Sequence, residues 1–285
     1  MHVGVVFPQI EIGNDHGAVR AYAEAVNELG YHHLLAYDHV VGADPGVHQG
    51  WAGPYSINDP FHEPMVLFGY LAAFTDLELV TGIIIAPQRQ TALLAKQAAE
   101  VDVLTGGKLR LGVGLGWNRL EYEALDKDFS NRASRIAEQV ELMRRLWTEE
   151  SVTFEGRYER TNGVGIRPMP VQRPIPVWFG AVAEPALRRV GRVADGWFPL
   201  VRLGDQLKRA NDVVQASAAE AGRGPIPWEG RIAIEPDRAT LERRLSGLRE
   251  AGAAYVSLDT MRQGYHGVDE HIAALGAAAP VVLPG

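Results

Sequence analysis

An α/β chain folded as one (β/α)8 TIM barrel is the architecture this sequence predicts, and three observations carry it. Eight short β-branched runs alternate with eight helical patterns. The runs are nearly continuous in Val, Ile and Leu with little polar alternation, as parallel strands covered on both faces require. The length, 285 residues, suits a single barrel, which commonly takes about 250.

In chain order the strand runs are Val3 to Phe7, His33 to Tyr37, Leu79 to Ile84, Leu109 to Val113, Pro176 to Phe179, Gly196 to Leu200, Arg231 to Ile234 and Tyr255 to Leu258. Helical patterns follow them at about 15–29, 63–75, 91–104, 132–148, 184–193, 204–221, 238–251 and 267–277. A doubly wound sheet of the same elements is the competing arrangement. Two connections are too long to be plain turns. Residues 40–60 carry Gly, Pro, Asp and His with Trp51, Tyr55 and, just beyond, Phe61, and a structureless stretch of that length implies a lid or binding loop. Residues 149–173 are rich in Gly, Pro and Arg and read as an insertion before the fifth strand. The 63–75 helix is apolar on every face, so something beyond the barrel must cover it; a homodimer partner is the expected cover.

Composition narrows the function. With 46% hydrophobic and 22% charged residues the chain reads as an ordinary globular protein, which argues against disorder, collagen and coiled coil. A net charge of −7 offers no general attraction to nucleic acid or anionic lipid. The absence of cysteine removes disulfides, thiolate nucleophiles, iron–sulfur clusters and Cys-ligated zinc. The start, Met1 to Pro8, lacks the basic region and apolar length of a signal peptide, and no apolar stretch approaches the roughly 20 residues of a membrane span. A cytoplasmic enzyme is the expectation.

In such a barrel the site belongs at the carboxyl ends of the strands. Standing there are Asp38 and His39 after the second strand, Gly82 and Ile83 with Pro87-Gln88-Arg89 after the third, and Gly112-Val113-Gly114-Leu115-Gly116-Trp117-Asn118 after the fourth. Gly180, Ala181 and Val182 follow the fifth. There is no Gly-x-Ser-x-Gly elbow, His-Glu-x-x-His or phosphate-binding Gly-x-x-x-x-Gly-Lys. Trp117 occupies the place where a dinucleotide fingerprint wants its third glycine. The fourth-strand glycines suit close approach of a flat ligand or of a packed neighbour, and a tight strand-to-helix turn would explain Gly112 equally. His39 has an acid/base or cofactor-contact reading, against a polar residue merely tied to Asp38; the histidines at 32, 33, 39, 48 and 62 lack a metal-ligand spacing. Asp38 serves equally as a loop cap. Gly180-Ala181-Val182 precede a helix opening at Glu184-Pro185, where free amides and the helix dipole would seat a phosphate, although helix entry alone also explains the Gly and Pro.

The residues also carry a resemblance. Tyr37-Asp38-His39, Pro60 to Pro64, Leu79 to Arg89, Leu94 to Leu109, Leu111 to Trp117 and Ala194 to Trp197 together resemble the luciferase-like monooxygenase superfamily, and within it the oxidoreductases that use the deazaflavin coenzyme F420. The resemblance implies a non-proline cis peptide joining Gly82 to Ile83, making a bulge after the third strand that props a bent ring. It places Asp38 and His39 at the ring's reactive end and the phosphate on Gly180, Ala181 and Val182, where the family's commoner Gly-Gly is Gly-Ala here. Trp117 stands where relatives that oxidise sugar phosphates carry an acid.

The deazaflavin carries hydride, so a protein using it need only bind, orient and shield, which accounts for so few catalytic groups. The function expected is hydride transfer between F420 and a small organic substrate beneath the 40–60 loop, with His39 and Asp38 at the reacting end and Trp51, Tyr55 and Trp117 shaping the substrate pocket. Only four of the 28 basic residues are lysine, a usage typical of high-GC genomes where F420 is frequent. The alternatives are an FMN-dependent monooxygenase fed by a separate reductase, a non-catalytic flavin-binding barrel and, more distantly, a metal-dependent hydrolase.

Overall fold

A computed structural model describes residues 1–235 and 237–283. The elements in order are β1 (His2–Val6), α1 (Gln9–Ile12), α2 (His16–Glu28), β2 (His33–Ala36), α3 (Pro64–Leu71), β3 (Glu78–Thr81), β4 (Ile84–Ile85), α4 (Thr91–Leu104), β5 (Leu109–Gly114), α5 (Arg119–Ala124) and α6 (Arg132–Thr148). They continue with β6 (Val152–Glu155), β7 (Arg160–Val164), β8 (Val177–Ala181), α7 (Glu184–Val193), β9 (Gly196–Pro199), α8 (Asp205–Glu220), β10 (Glu229–Ala233), α9 (Arg238–Glu250), β11 (Tyr255–Asp259) and α10 (Val268–Val282).

The staves pair in parallel in the order β10-β11-β1-β2-β3-β5-β8-β9. A parallel bridge from Trp197 in β9 to Trp228, just ahead of β10, joins the two ends, with Trp197 N–H donating to the Pro227 carbonyl at 3.0 Å. That closure makes the sheet a barrel and disposes of the doubly wound alternative. Helix starts follow from their caps: Asp15 accepts from Gly17 and Ala18 ahead of α2, and Glu63 accepts from Val66 ahead of α3, which has Pro64 in its first turn.

The third stave departs from the single continuous run but bends where the resemblance implies a bulge. Instead of one run it is two short strands, β3 and β4, with the chain bending at Gly82 and Ile83. Among the described residues the cis bonds are Arg167–Pro168 and Arg173–Pro174, so the bond joining Gly82 to Ile83 is trans, contrary to the expectation drawn from the resemblance. The bend is held by side-chain anchors instead. Gly82 N–H stays on the ladder by donating to the Ala36 carbonyl at 2.8 Å, and Ile85 N–H donates to Asp38 Oδ2 at 3.1 Å. The 149–173 insertion contains an antiparallel hairpin, β6 paired with β7. The 40–60 loop has no helix or strand, yet it is stitched down: Ile57 N–H donates to the Ala43 carbonyl, and Arg262 reaches the Pro54 carbonyl at 2.8 Å.

Residues two apart on a strand share a face, so each stave sends alternate side chains inward. The lower layer is ionic. Arg110 of β5 pairs with Glu229 of β10 and, at 2.8 Å, with Glu78 of β3, while its guanidinium lies 4.5 Å from the Trp178 ring centre and 4.3 Å from that of Tyr255. Glu229 also accepts from Ser257 and meets His33 Nε2 at 3.1 Å. Burial pushes the Glu229 carboxyl upward, but the charge of Arg110 and the bonds from His33 and Ser257 prevail and hold it well below the usual range. Above this layer Val6, Leu35, Val80 and Phe198 form an apolar plug. The larger core lies between staves and helices, where Trp147, fully buried, donates its indole N–H to the Ala95 carbonyl.

Candidate active site

Over the apolar plug, at the carboxyl ends of the staves, opens a cavity of about 820 Å³, large enough for a ring cofactor with a small molecule beside it. Of the residues singled out from sequence, Asp38, His39, Tyr55, Gly82, Ile83, Trp117, Gly180, Ala181 and Val182 line it. Trp51 does not. It packs on the far side of Trp117, ring centres 5.7 Å apart, and donates its indole N–H to the Tyr55 carbonyl, so it backs the wall and does not form it.

Asp38 stands in the wall with both oxygens engaged. Arg89 donates to Oδ1 at 2.8 Å while Oδ2 holds the Ile85 amide, and the carboxylate is 4% exposed. It fixes the Ile83 bend rather than meeting a reactant, which makes it a positioning residue. His39 is the titratable side chain at the mouth with room to act. Its ring is boxed by Phe61, Tyr55 and Trp117, at centre distances of 4.7, 5.1 and 5.8 Å. Its Nδ1 meets Glu121 Oε1 at 3.2 Å.

Glu121 was not among the candidates from sequence. It comes from α5, three residues after the helix cap Asn118, a place from which Glu commonly reaches back to the cap's own amide. Here it accepts from the Val40 amide at 2.8 Å and from His39. Burial raises the Glu121 carboxyl, but the His39 bond and charge together with the amides of Val40 and Val41 bring it below the ordinary range. An ionised Glu121 fixes the orientation of the imidazole and leaves Nε2 as the nitrogen available for exchange.

The glycines define the cradle. A Cβ at Gly114 would fall well inside contact with Ile83, and one at Gly180 would sit 3.4 Å from the same side chain. The space in front of the Ile83 bend therefore exists because these two positions have no side chain. On the rim, Val182 is 46% exposed and the α7 cap, Ala183, has no side-chain bond to the helix's first amides. Pro185 has no N–H and the Ala186 and Leu187 amides donate back to the Ala183 carbonyl, so the amides left for an anion are those of Val182, Ala183 and Glu184, leading into α7. Glu184, in the first turn, is tied to Arg188 at 2.8 Å. Among the described residues the cavity wall has a single arginine or lysine, Arg231, on β10, two staves from β8 and across the barrel from the Ile83 bend. The residues therefore fit a flat ring against Ile83 with a weakly charged anionic tail on the amides leading into α7. Arg231 is the second group that sequence reading passed over, with Tyr37 and Asp259 beside it.

The chain is similar to several known proteins. The family model described as luciferase-like monooxygenase matches residues 1–275. An uncharacterized protein of Mycobacterium tuberculosis is 31% identical over 176 residues, 61% of this chain and 62% of the relative. The FMNH(2)-dependent dimethylsulfone monooxygenase of Pseudomonas putida is 30% identical over 168 residues, 58% of this chain but 46% of that protein. The chain thus matches about half to three fifths of the length of these curated relatives. In fold, an F420-dependent secondary alcohol dehydrogenase bound to an F420-acetone adduct superposes with a TM-score of 0.80 at 15% identity, covering 99% of this chain and 98% of that one.

Proposed function

Since the chain belongs to the luciferase-like monooxygenase family, an oxidoreductase family with F420- and FMN-dependent structural neighbours, we propose that it moves hydride between coenzyme F420 and a small organic substrate. The observation that carries the choice is the anion seat. The amides of Val182, Ala183 and Glu184 stand without a lysine or arginine among the described residues of the cavity wall beside them, and an acidic residue, Glu184, occupies the first turn of α7. A phosphodiester such as that of F420 has one negative charge. The phosphate monoester of FMN has nearly two at neutral pH, its second pKa being about 6, and calls for an uncommitted cation, whereas Arg188, one turn into α7, is spent on Glu184.

When bound, the deazaflavin accepts or releases hydride at a ring carbon. The chain's own residues do the remainder. Ile83, projected by the bend that Asp38 and Arg89 anchor, supports the ring, and Gly114 and Gly180 leave it space. His39 holds or passes the proton that accompanies hydride transfer, with Glu121 fixing its ring. Tyr55, Trp117 and Phe198 exclude water from the reacting face. The surface completes the proposal: Val66 of α3, 71% exposed, with Tyr70 and Leu93 of the neighbouring α4, forms an apolar face that a second copy of the chain covers.

The test is a fluorescence titration of purified protein with F420 and with FMN. Tighter binding of F420 is the expected result. Preference for FMN, with oxygen-dependent turnover when a reductase is supplied, overturns the choice in favour of the FMN monooxygenase reading, which the similarity to the dimethylsulfone enzyme favours. Binding of neither removes the mechanism.

A further inference from the structure

Arg231 lies on β10 between Glu229 and Ala233, and all three face the cavity. Its guanidinium sits 5.2 Å from the centre of the Tyr37 ring, and one Nη donates to the Tyr37 hydroxyl. A guanidinium has five N–H donors, and this is the one side-chain bond it makes among the described residues. None of its nitrogens is sealed off without a partner, so the remaining donors open on the cavity.

Its neighbourhood supplies no ion pair. Glu229, two residues back, is already committed to Arg110, His33 and Ser257. Asp259, at the end of β11, accepts from the Met261 amide at 2.9 Å and hydrogen-bonds Tyr37; its charge acts on Arg231 from a distance, but among the described residues the two make no ion pair within 4 Å. The other charged groups of the wall, Asp38 and Glu121, are engaged with Arg89 and with His39. A cation so far inside a mostly apolar site is unusual unless an anion completes it.

The strand order sets Arg231 across the barrel from the Ile83 bend, and the anion seat ahead of α7 is elsewhere on the rim. A ring resting on Ile83 would present its free face toward Arg231. We propose that Arg231 is the substrate-recognition group of this site and that it takes a monocarboxylate with an apolar body. One guanidinium fork matches one planar carboxylate, and the bond Arg231 makes to the Tyr37 hydroxyl holds the fork in place. A phosphate dianion is disfavoured, because Glu229 and Asp259 flank the spot and no second cation assists. Leu35, Ile83 and Phe198 provide the apolar wall. The identification as a substrate site rests on the redox reading given above; the carboxylate binding itself does not.

Calorimetric titration with benzoate and with its neutral isostere benzamide tests this, on the protein without cofactor and again with F420. Benzoate is expected to bind at least tenfold more tightly than benzamide. Arg231→Met should remove that preference, Arg231→Lys should keep part of it, and F420 affinity should change less than twofold in either variant. Equal affinity of wild type and Arg231→Met for benzoate overturns the proposal, as does inorganic phosphate displacing benzoate at equal concentration. Loss of F420 binding with benzoate unaffected would also overturn it, by assigning Arg231 to the cofactor ring. Should Arg231→Met not fold, the lysine variant alone decides: benzoate affinity identical to wild type refutes the role. A wild-type protein that binds benzoate but neither F420 nor FMN would sink the redox reading and keep the carboxylate site.

Discussion

Gly112 and Gly114 share a strand and a face, yet they meet different neighbours, and substituting each by alanine separates barrel integrity from the cofactor seat. A Cβ at position 112 would lie well under 3.0 Å from the Thr81 carbonyl oxygen and 2.8 Å from the Phe198 ring. The Thr81 oxygen is backbone in a paired strand, and Thr81 Oγ1 is itself bonded to the Gly112 carbonyl at 2.8 Å. Neither side can rotate away, so Gly112→Ala falls at the upper end of the about 1–3 kcal/mol for overpacking. At roughly 2–4 °C per kcal/mol for a chain of this size, Tm falls by about 6–12 °C. At position 114 the obstruction is the end of the Ile83 side chain, with Cγ1 at 3.0 Å, which can turn at the expense of cavity space. Gly114→Ala should therefore destabilise by less than about 1 kcal/mol, partly offset by the strand preference of alanine over glycine. It should weaken F420 at least tenfold, about 1.4 kcal/mol. Scanning calorimetry and fluorescence titration on both variants read the two effects. Equal loss of Tm in both, with F420 affinity intact in Gly114→Ala, would refute the assignment of Ile83 as the ring's support.

Other outcomes follow from the same contacts. Arg110→Met strips the buried Glu229 of its cation and should destabilise by about 3–5 kcal/mol in urea unfolding. Because Glu229 is held below its unfolded value of about 4.3, its contribution is full above that pH and lost as pH falls below it. Tm plotted against pH should thus decline on the acid side, and decline less in Arg110→Met. Glu121→Gln keeps the shape but removes the charge beside His39, one charge-assisted hydrogen bond of about 1.5–3 kcal/mol; turnover should drop by one to two orders of magnitude with F420 affinity nearly unchanged. Val66→Glu places a charge on the open face of α3, and sedimentation should show the wild type as a dimer and the variant as a monomer at equal concentration.

How much of this was legible in the sequence depends on whether the deciding physics was local. Helices at 91–104, 132–148 and 184–193 match their periodic patterns to the residue, because apolar spacing and flanking Gly, Pro and polar residues act within one turn. The bend in the third stave came only from the family resemblance, and its trans geometry was not legible at all. It depends on Asp38, more than forty residues upstream, tying down the Ile85 amide. His39 could be placed at the mouth by counting strands, but its partner Glu121 is 82 positions away. The pattern Asn118-x-x-Glu121 marked a helix start and gave no sign that the carboxylate would turn outward from its own helix. Arg231 had a local signal that was passed over: Glu229 and Arg231 alternate with Gly230 and Ile232 along one stave, which already demands inward charges with partners. Trp51 failed for the converse reason. An aromatic in the covering loop looked like wall, and only Trp117 standing in front of it decides otherwise.

A crystal structure of the protein with F420 tests the account most directly. The account requires the deazaflavin ring in van der Waals contact with Ile83, with its phosphodiester accepting hydrogen bonds from the amides of Val182, Ala183 and Glu184. A ring lying elsewhere, or a phosphodiester paired with Arg231, would contradict it.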